Sequence, residues 1–413
     1  MSELDTYNRL DNQYSYRNIN RLREDKTKKS PENPYLAENT IQKERLILHP
    51  LVWPVNTNKS VYSSIVIPEK IVSGVSNMKP RMVEKTFQPK GVYVNADITS
   101  CDDIFPLINR LKELNYNTLM FDINDSGKIR YETSSRFAIT NKIVNGTIPV
   151  KKLIYHLKKK GVHSVARICC FNNWPLAYRR PDLRISSSST NTPKELNNWV
   201  DPESADVQDF IIEIAVELAK TGVDEINLDY ARFPSYRDLK TKNADRTEVI
   251  CSFLEKARTA LQPYGVRLSV DVFAIIAWEG NEETTRIIGQ DLGKIKKHVD
   301  MVYLMLYPSL FSGIPGIVNP ADKPYEIITQ TCEQAKKIFA DSPEKLAVIL
   351  QAFGYKNIDF PYSPAYAAEE LKAAKDSVIK SVMWWNFNGN YNGVFSALEI
   401  NQYIEKNKPE PVQ

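Results

Sequence analysis

Short apolar segments and amphipathic segments alternate from Gly91 onward, and this alternation restricts the possible folds more than any other feature. Nearly continuous apolar runs of this length are typical of strands buried on both faces of a parallel sheet. The segments between them have helical periodicity, and several end in glycine, a common helix stop. The eight strand-sized segments are residues 91–97, 118–124, 163–169, 225–232, 267–274, 301–308, 346–354 and 381–388.

Eight strands and eight helices in strict alternation predict an α/β protein built as a closed (β/α)8 TIM barrel. A doubly wound open sheet is the alternative arrangement for such a pattern. That alternative is weakened because no G-x-G-x-x-G sequence follows the first strand. We therefore predict a barrel domain over residues 89–413.

Residues 1–88 differ from the rest of the chain. The first forty are rich in Asn, Lys, Arg, Glu and Tyr, and the segment KTKKSPENP has no apolar period. Two later apolar stretches, at 46–55 and 61–72, are interrupted by Pro54 and Pro68, which favours edge strands or extended segments. We expect an N-terminal extended arm that is partly disordered or wraps a protein partner.

Composition excludes several classes of function. The 54 Lys and Arg residues against 50 Asp and Glu residues leave a net charge of +4, so nucleic acid is not an expected partner. No stretch approaches the roughly 18–20 apolar residues of a transmembrane helix, and the polar N-terminus shows no signal peptide. Five cysteines without a C-x-x-C pair and four unpaired histidines predict no metal site and no cofactor.

Polar residues follow the predicted strands at the ends where barrel enzymes place their chemistry. Carboxylates and amides can bind hydroxyl groups, and aromatic faces can stack on sugar rings. The expected ligand is therefore a polysaccharide or oligosaccharide. The candidate substrate-binding residues are Asp122, Arg167, Tyr230, Arg232, Tyr307, Gln351, Trp385 and Asn386.

Asp229 and Asp271 are the candidate catalytic residues. Each ends or nearly ends an otherwise apolar strand, and the two strands are consecutive. Two neighbouring carboxyl groups with different environments can serve as nucleophile and general acid in glycoside hydrolysis. The alternative is structural: Asp229 could form an ion pair with Arg232 or Arg167 that closes the barrel. Asp122 and Arg167 could likewise bind substrate or form a salt bridge across the barrel.

A family resemblance covers roughly residues 90–400. The run G-V-D-E-I-N-L-D-Y-A-R-F-P at 222–234 resembles the D-E-I-x-F-D-Y-x-R-F-P signature of a family of bacterial glycoside-hydrolase-like barrels, themselves distantly similar to α-amylase-like barrels. GVYVNA at 91–96, LSVDVFA at 268–274 and WWNFNGNY at 384–391 match in the same order. The resemblance implies a carbohydrate-active barrel with Asp229 as nucleophile, Asp271 as acid and a location in the cell envelope, either periplasmic or extracellular.

The chain also departs from the family pattern. The acid is normally Glu where Asp271 stands, the family's Y-P-S-H-Y has Leu310 in place of histidine, and an acid of the seventh strand is replaced by Ala352. Two hypotheses therefore remain after the resemblance. The chain is a glycoside hydrolase, or it is a catalytically inactive barrel that binds glycans or acts as a scaffold in a larger assembly.

Overall fold

The computed structural model describes residues 86–406, apart from 100–103, 126, 190–192, 244, 313, 315, 355–360 and 378. Nearly all of the predicted arm, and therefore the predicted protein contact through residues 1–88, lies outside the described residues. Within them, no helix combines the length and the apolar character needed to cross a bilayer.

Eight parallel strands close into a barrel, which confirms the predicted fold. Strand β1 pairs with β2 on one side and with β9 on the other, and every other barrel strand pairs with its neighbours. The short β3 is antiparallel to β2 and extends it outside the barrel. The strands are β1 Lys90–Val94, β2 Thr118–Asp125, β3 Lys128–Ile129, β4 His163–Cys169, β5 Glu225–Asp229, β6 Arg267–Phe273, β7 Met301–Leu306, β8 Leu346–Gln351 and β9 Ser381–Trp385.

Helices surround the barrel and pack on it through apolar faces. In the helix Ala205–Ala219, Val207, Ile211, Ile214 and Leu218 are buried at helical spacing, and the Ser204 side chain caps the first turn. The helices are α1 Ala96–Thr99, α2 Ile104–Glu113, α3 Arg136–Thr140, α4 Val150–Lys159, α5 Trp174–Arg179, α6 Ala205–Ala219, α7 Arg246–Leu261, α8 Glu282–Ile288, α9 Leu292–Ile295, α10 Pro324–Ile338, α11 Pro364–Asp376 and α12 Asn392–Lys406.

Two apolar clusters result from the alternation of side chains along each strand. The larger cluster lies between strands and helices and includes Leu119, Phe121 and Trp384. The smaller one fills the barrel interior and includes Met120 and Met383, with Trp385 packed against it. Trp384 and Trp385, which are adjacent in β9, accordingly point to opposite faces of the barrel wall.

Candidate active site

Four charged side chains meet inside the carboxyl ends of neighbouring strands. Asp122 lies on β2, Arg167 on β4, Asp229 at the end of β5 and Asp271 on β6. Parallel pairing places these strands side by side, with Asp122 opposite Arg167 in the register. All four side chains are buried. Because buried charges are costly unless they are paired, their arrangement determines what the site can do.

Arg167 is the centre of this cluster and contacts three carboxyl groups. Its Nη1 donates to Asp122 Oδ1, while its Nη2 and its Nε, at 3.1 Å, donate to Asp229 Oδ2. The same Nε lies 3.8 Å from Asp271 Oδ2. Burial disfavours the guanidinium charge, but the neighbouring acids, Asp122 first, raise the pKa of Arg167 above its usual value. Both ion pairs that the sequence offered as structural alternatives, Asp122–Arg167 and Asp229–Arg167, are therefore present.

Asp229 and Asp271 have different surroundings. Asp229 Oδ2 accepts the two Arg167 bonds, and Oδ1 accepts the Tyr230 N–H at 2.6 Å, so its donors suit a carboxylate. Asp271 Oδ1 accepts from Asn227 Nδ2 at 2.8 Å. Burial, followed by the charge of Asp229, raises the pKa of Asp271 well above its ordinary value, which favours the protonated acid.

The separation of the two acids is limited by the arginine nitrogen that they share. The Oδ2 atoms of Asp229 and Asp271 lie 3.1 and 3.8 Å from Arg167 Nε. The two Oδ2 atoms are thus at most about 7 Å apart. This limit is compatible with the 5–5.5 Å between the carboxyl groups of retaining glycosidases, and with only the lower end of the 6.5–9.5 Å of inverting ones.

Tyr230 turns the chain immediately after Asp229. Its φ of 51° is rare for a residue other than glycine, and it directs the Tyr230 N–H back to the Asp229 carboxylate. Backbone strain of this kind is concentrated at functional sites. The same turn ends β5 at Asp229, whereas the predicted strand continued to residue 232.

An aromatic wall borders the charged cluster. The Trp385 ring lies 5.7 Å from Tyr93, 5.8 Å from Tyr307 and 5.3 Å from Phe353, measured between ring centroids. Trp385 is only half-buried, so part of its ring remains accessible. Tyr93 connects the wall to the charges because its hydroxyl donates to Asp122 Oδ2 at 2.5 Å.

Three predicted substrate-binding residues contact loop atoms instead of facing the cluster. Arg232 is 2% exposed, and its Nη1 donates at 3.0 Å to the carbonyl of Phe233 in the loop after β5. Gln351 is fully buried, accepts from the Ser309 hydroxyl at 2.9 Å and donates to a loop carbonyl. Asn386 donates to the carbonyl of Ala352. These contacts fix the loops that follow β5, β7, β8 and β9.

Sequence reasoning did not select two residues that touch the cluster, Tyr93 and Asn227. Period-two alternation could have identified Asn227, since residues 225, 227 and 229 share one face of β5. Tyr93 alternates in the same way with Val92 and Val94 of β1, which face the helices.

The described residues contain no group of three or more His, Cys, Asp and Glu side chains placed to hold a metal ion. The acids of the site instead surround the Arg167 guanidinium. The arrangement supplies one carboxyl group paired with arginine and, beside it, one whose pKa is raised, which is a set suited to acid-assisted substitution at a sugar carbon.

Superposition on one solved structure agrees with the barrel fold, and two further similar structures superpose less well. The PgaB (BpsB) glycoside hydrolase domain from Bordetella bronchiseptica superposes with a TM-score of 0.55 at 15% identity, covering 76% of this chain and 99% of that one. A hypothetical protein from Ruminiclostridium thermocellum ATCC 27405 gives a TM-score of 0.40 at 27% identity, over 44% and 97% of the two chains. A chitinase from Chromobacterium violaceum ATCC 12472 gives 0.45 at 12% identity, over 76% and 98%.

Comparison with sequence families is more specific. The chain matches none of the curated protein sequences. Residues 91–391, well over half of the chain, match the family model described as "putative glycosyl hydrolase domain". The matched segment begins in β1 and ends just before α12, so it contains all eight barrel strands and the whole charged cluster. The protein therefore belongs to this glycosyl hydrolase domain family.

Proposed function

We propose that the protein is a glycoside hydrolase that acts on a cell-envelope or extracellular polysaccharide, with Asp229 as nucleophile and Asp271 as general acid. One observation carries the proposal: two carboxyl groups share the Arg167 Nε, yet Asp229 accepts a second bond from the arginine, whereas burial and the charge of Asp229 raise the pKa of Asp271. A paired carboxylate beside a protonated carboxyl is the combination that retaining glycoside hydrolysis uses.

In the first step, Asp271 donates its proton to the glycosidic oxygen while Asp229 attacks the anomeric carbon. Asp229 Oδ2 accepts two bonds from Arg167, whereas Oδ1 accepts one bond, from Tyr230 N–H. Oδ1 therefore has a lone pair available and is the attacking atom. The bond between the anomeric carbon and the glycosidic oxygen breaks, the leaving sugar departs as an alcohol, and a glycosyl ester forms on Asp229.

In the second step, the Asp271 carboxylate takes a proton from water as that water attacks the anomeric carbon. The ester bond breaks, the sugar is released with its hydroxyl, and Asp229 and Asp271 return to their starting states. Arg167 contacts Asp229 throughout and limits the charge that accumulates between the acids.

The accessible Trp385 ring supports a sugar-stacking role, with Tyr307 behind it in the aromatic wall. Asp122, Arg167 and Tyr230 lie close enough to the acids to contact the same sugar. Arg232, Gln351 and Asn386 act on the substrate indirectly in this proposal, through the loops that they fix.

The decisive experiment measures release of reducing ends from a panel of envelope polysaccharides. Asp229→Asn keeps the size of the side chain but removes the nucleophile, so we expect a loss of roughly 10⁴-fold or more in kcat. Glu370→Gln is the matched control, since Glu370 is also a fully buried carboxyl but lies on α11, outside the barrel interior.

Undiminished release by Asp229→Asn would contradict the assignment of the nucleophile. Binding of a glycan by the wild-type protein without any release would instead assign the barrel the inactive, glycan-binding role.

A further inference from the structure

We propose that Asn227 is the positioning residue that orients the Asp271 carboxyl for proton donation. The inference rests on the proposed function, because it assigns Asn227 a part in the same acid step. Asn227 is fully buried and contacts the carboxyl group of Asp271, so it acts through that acid.

The geometry fixes which Asp271 oxygen carries the proton. Asn227 Nδ2 donates to Asp271 Oδ1 at 2.8 Å, so Oδ1 is an acceptor and serves as the carbonyl oxygen of the protonated group. The proton then lies on Oδ2, the oxygen 3.8 Å from Arg167 Nε and on the side of Asp229. An acid that faces the nucleophile in this way can protonate the leaving oxygen of the same sugar.

Stability alone does not explain an amide at this position. Asn227 is fully buried, its Nδ2 also lies 3.2 Å from Ser269 Oγ, and its amide oxygen Oδ1 has no hydrogen-bond partner among the described residues. A buried, half-satisfied amide costs free energy that an apolar side chain of similar size would not. Its neighbours in the register, Arg167 on β4 and Ser269 on β6, are also polar, so Asn227 belongs to the polar layer that contains the acids.

Without the donor, the Asp271 carboxyl could rotate and carry its proton on either oxygen. Fewer molecules would then present the proton to the leaving group, so kcat would fall while KM would stay nearly constant. The lost hydrogen bond also stabilised the ionised form, so the pKa of Asp271 would rise further and the alkaline limb of the pH profile would move to higher pH.

The test uses difference infrared spectroscopy of the full chain during a pH titration. The carbonyl band of protonated Asp271 is identified as the band that Asp271→Asn removes. In Asn227→Leu this band should move to higher wavenumber, because its carbonyl oxygen has lost a hydrogen bond. An unmoved band would overturn the proposal, whether or not the protein hydrolyses any glycan.

Gln290→Leu is the matched control. Gln290 is equally buried and donates at 3.2 Å to the backbone carbonyl of Asp271, not to its carboxyl group. Its substitution should leave the infrared band and the pH limb where they are in the wild type. Movement of the band by the same amount in both variants would show that Asn227 merely packs, and would also overturn the proposal.

The kinetic part of the test is made on any polysaccharide that the wild type cleaves. Asn227→Leu should lower kcat about 10- to 100-fold, with KM changed less than twofold and the alkaline limb moved upward. Asn227→Ala serves if the leucine variant does not fold. If the wild type shows no turnover, the proposed function is refuted but the role of Asn227 is not. The infrared shift still decides which Asp271 oxygen carries the proton.

Discussion

The two ends of the barrel interior each hold a buried ionic cluster, and the clusters differ in their balance of charge. At the amino ends of the strands, Glu225 accepts from the Tyr303 hydroxyl at 3.1 Å and lies 3.0 Å from His163 Nε2 and 3.8 Å from Arg267. At the carboxyl ends, Arg167 alone faces three acids.

This difference in balance sets the proton affinity of the acids. Burial raises the pKa of Glu225, but Arg267 and His163 more than offset it and lower the pKa to about 2. Burial also raises the pKa of Asp271, and the charge of Asp229 raises it further, so that the shared Arg167 does not offset the two and the pKa stays well above the ordinary value. A fully paired acid can only stabilise the barrel, whereas an acid left short of positive charge retains a proton that it can donate.

The largest expected effect comes from removing the shared cation. Arg167→Met leaves three buried carboxyl groups without it and should lower the free energy of unfolding by about 3–5 kcal/mol at pH 7. The difference in the free energy of unfolding between variant and wild type should be smaller at pH 5, because protonated acids no longer repel each other. Urea unfolding at both pH values measures this difference. Arg180→Met is the control that should change nothing measurable, because Arg180 is only partly buried and pairs with the exposed Asp182. An equal loss at both pH values would refute the charge argument.

An intermediate effect is expected from the ionic cluster around Glu225, at the amino ends of the strands. Glu225→Gln should lower the free energy of unfolding by about 3 kcal/mol at pH 7. Because the folded pKa of Glu225 is lowered, its contribution is present above the unfolded pKa of roughly 4.3 and disappears as the pH falls toward about 2. Unfolding curves from pH 7 to pH 3 should therefore converge for variant and wild type. Parallel curves would show that packing, not charge, accounts for the loss.

The smallest expected effect is a gain in stability, whereas the two preceding substitutions lower it. The folded pKa of Asp271 is raised, so its ionisation destabilises the wild type as the pH rises above roughly 4. Asp271→Asn removes that ionisation and should make the protein more stable than the wild type at pH 8, with no gain at pH 4. Melting temperatures from pH 4 to pH 9 measure the divergence. If the melting temperature of the variant changed with pH as steeply as that of the wild type, Asp271 would not titrate in this range.

The sequence predicted the barrel because eight buried strands leave a repeated apolar signal that does not depend on side-chain geometry. It also placed Asp122, Arg167, Asp229 and Asp271 at the correct strand ends. It could not predict that period-two alternation stops at Tyr230, where the positive φ ends β5.

Where a strand ends earlier than its apolar pattern predicts, strand periodicity cannot place the residues that follow. Arg232 follows the turn at Tyr230, and Asn386 follows the end of β9 at Trp385, where the predicted strand ran to residue 388. Their contacts depend on loop conformation. Tyr93 and Asn227 lie inside strands, and alternation does place them on the inner face; what the sequence lacked was the distance from each to a particular acid.

The closure of the barrel by β1 and β9 has a consequence for synthesis of the protein. Lys90 aligns with Val382 in the register, so one edge of the first strand has no partner until the last strand leaves the ribosome. At 5–20 residues per second, that interval is roughly 15–60 s. During it, an apolar strand with unsatisfied backbone groups is open to pairing with other chains. The incomplete barrel is therefore open to aggregation at this edge for most of its synthesis.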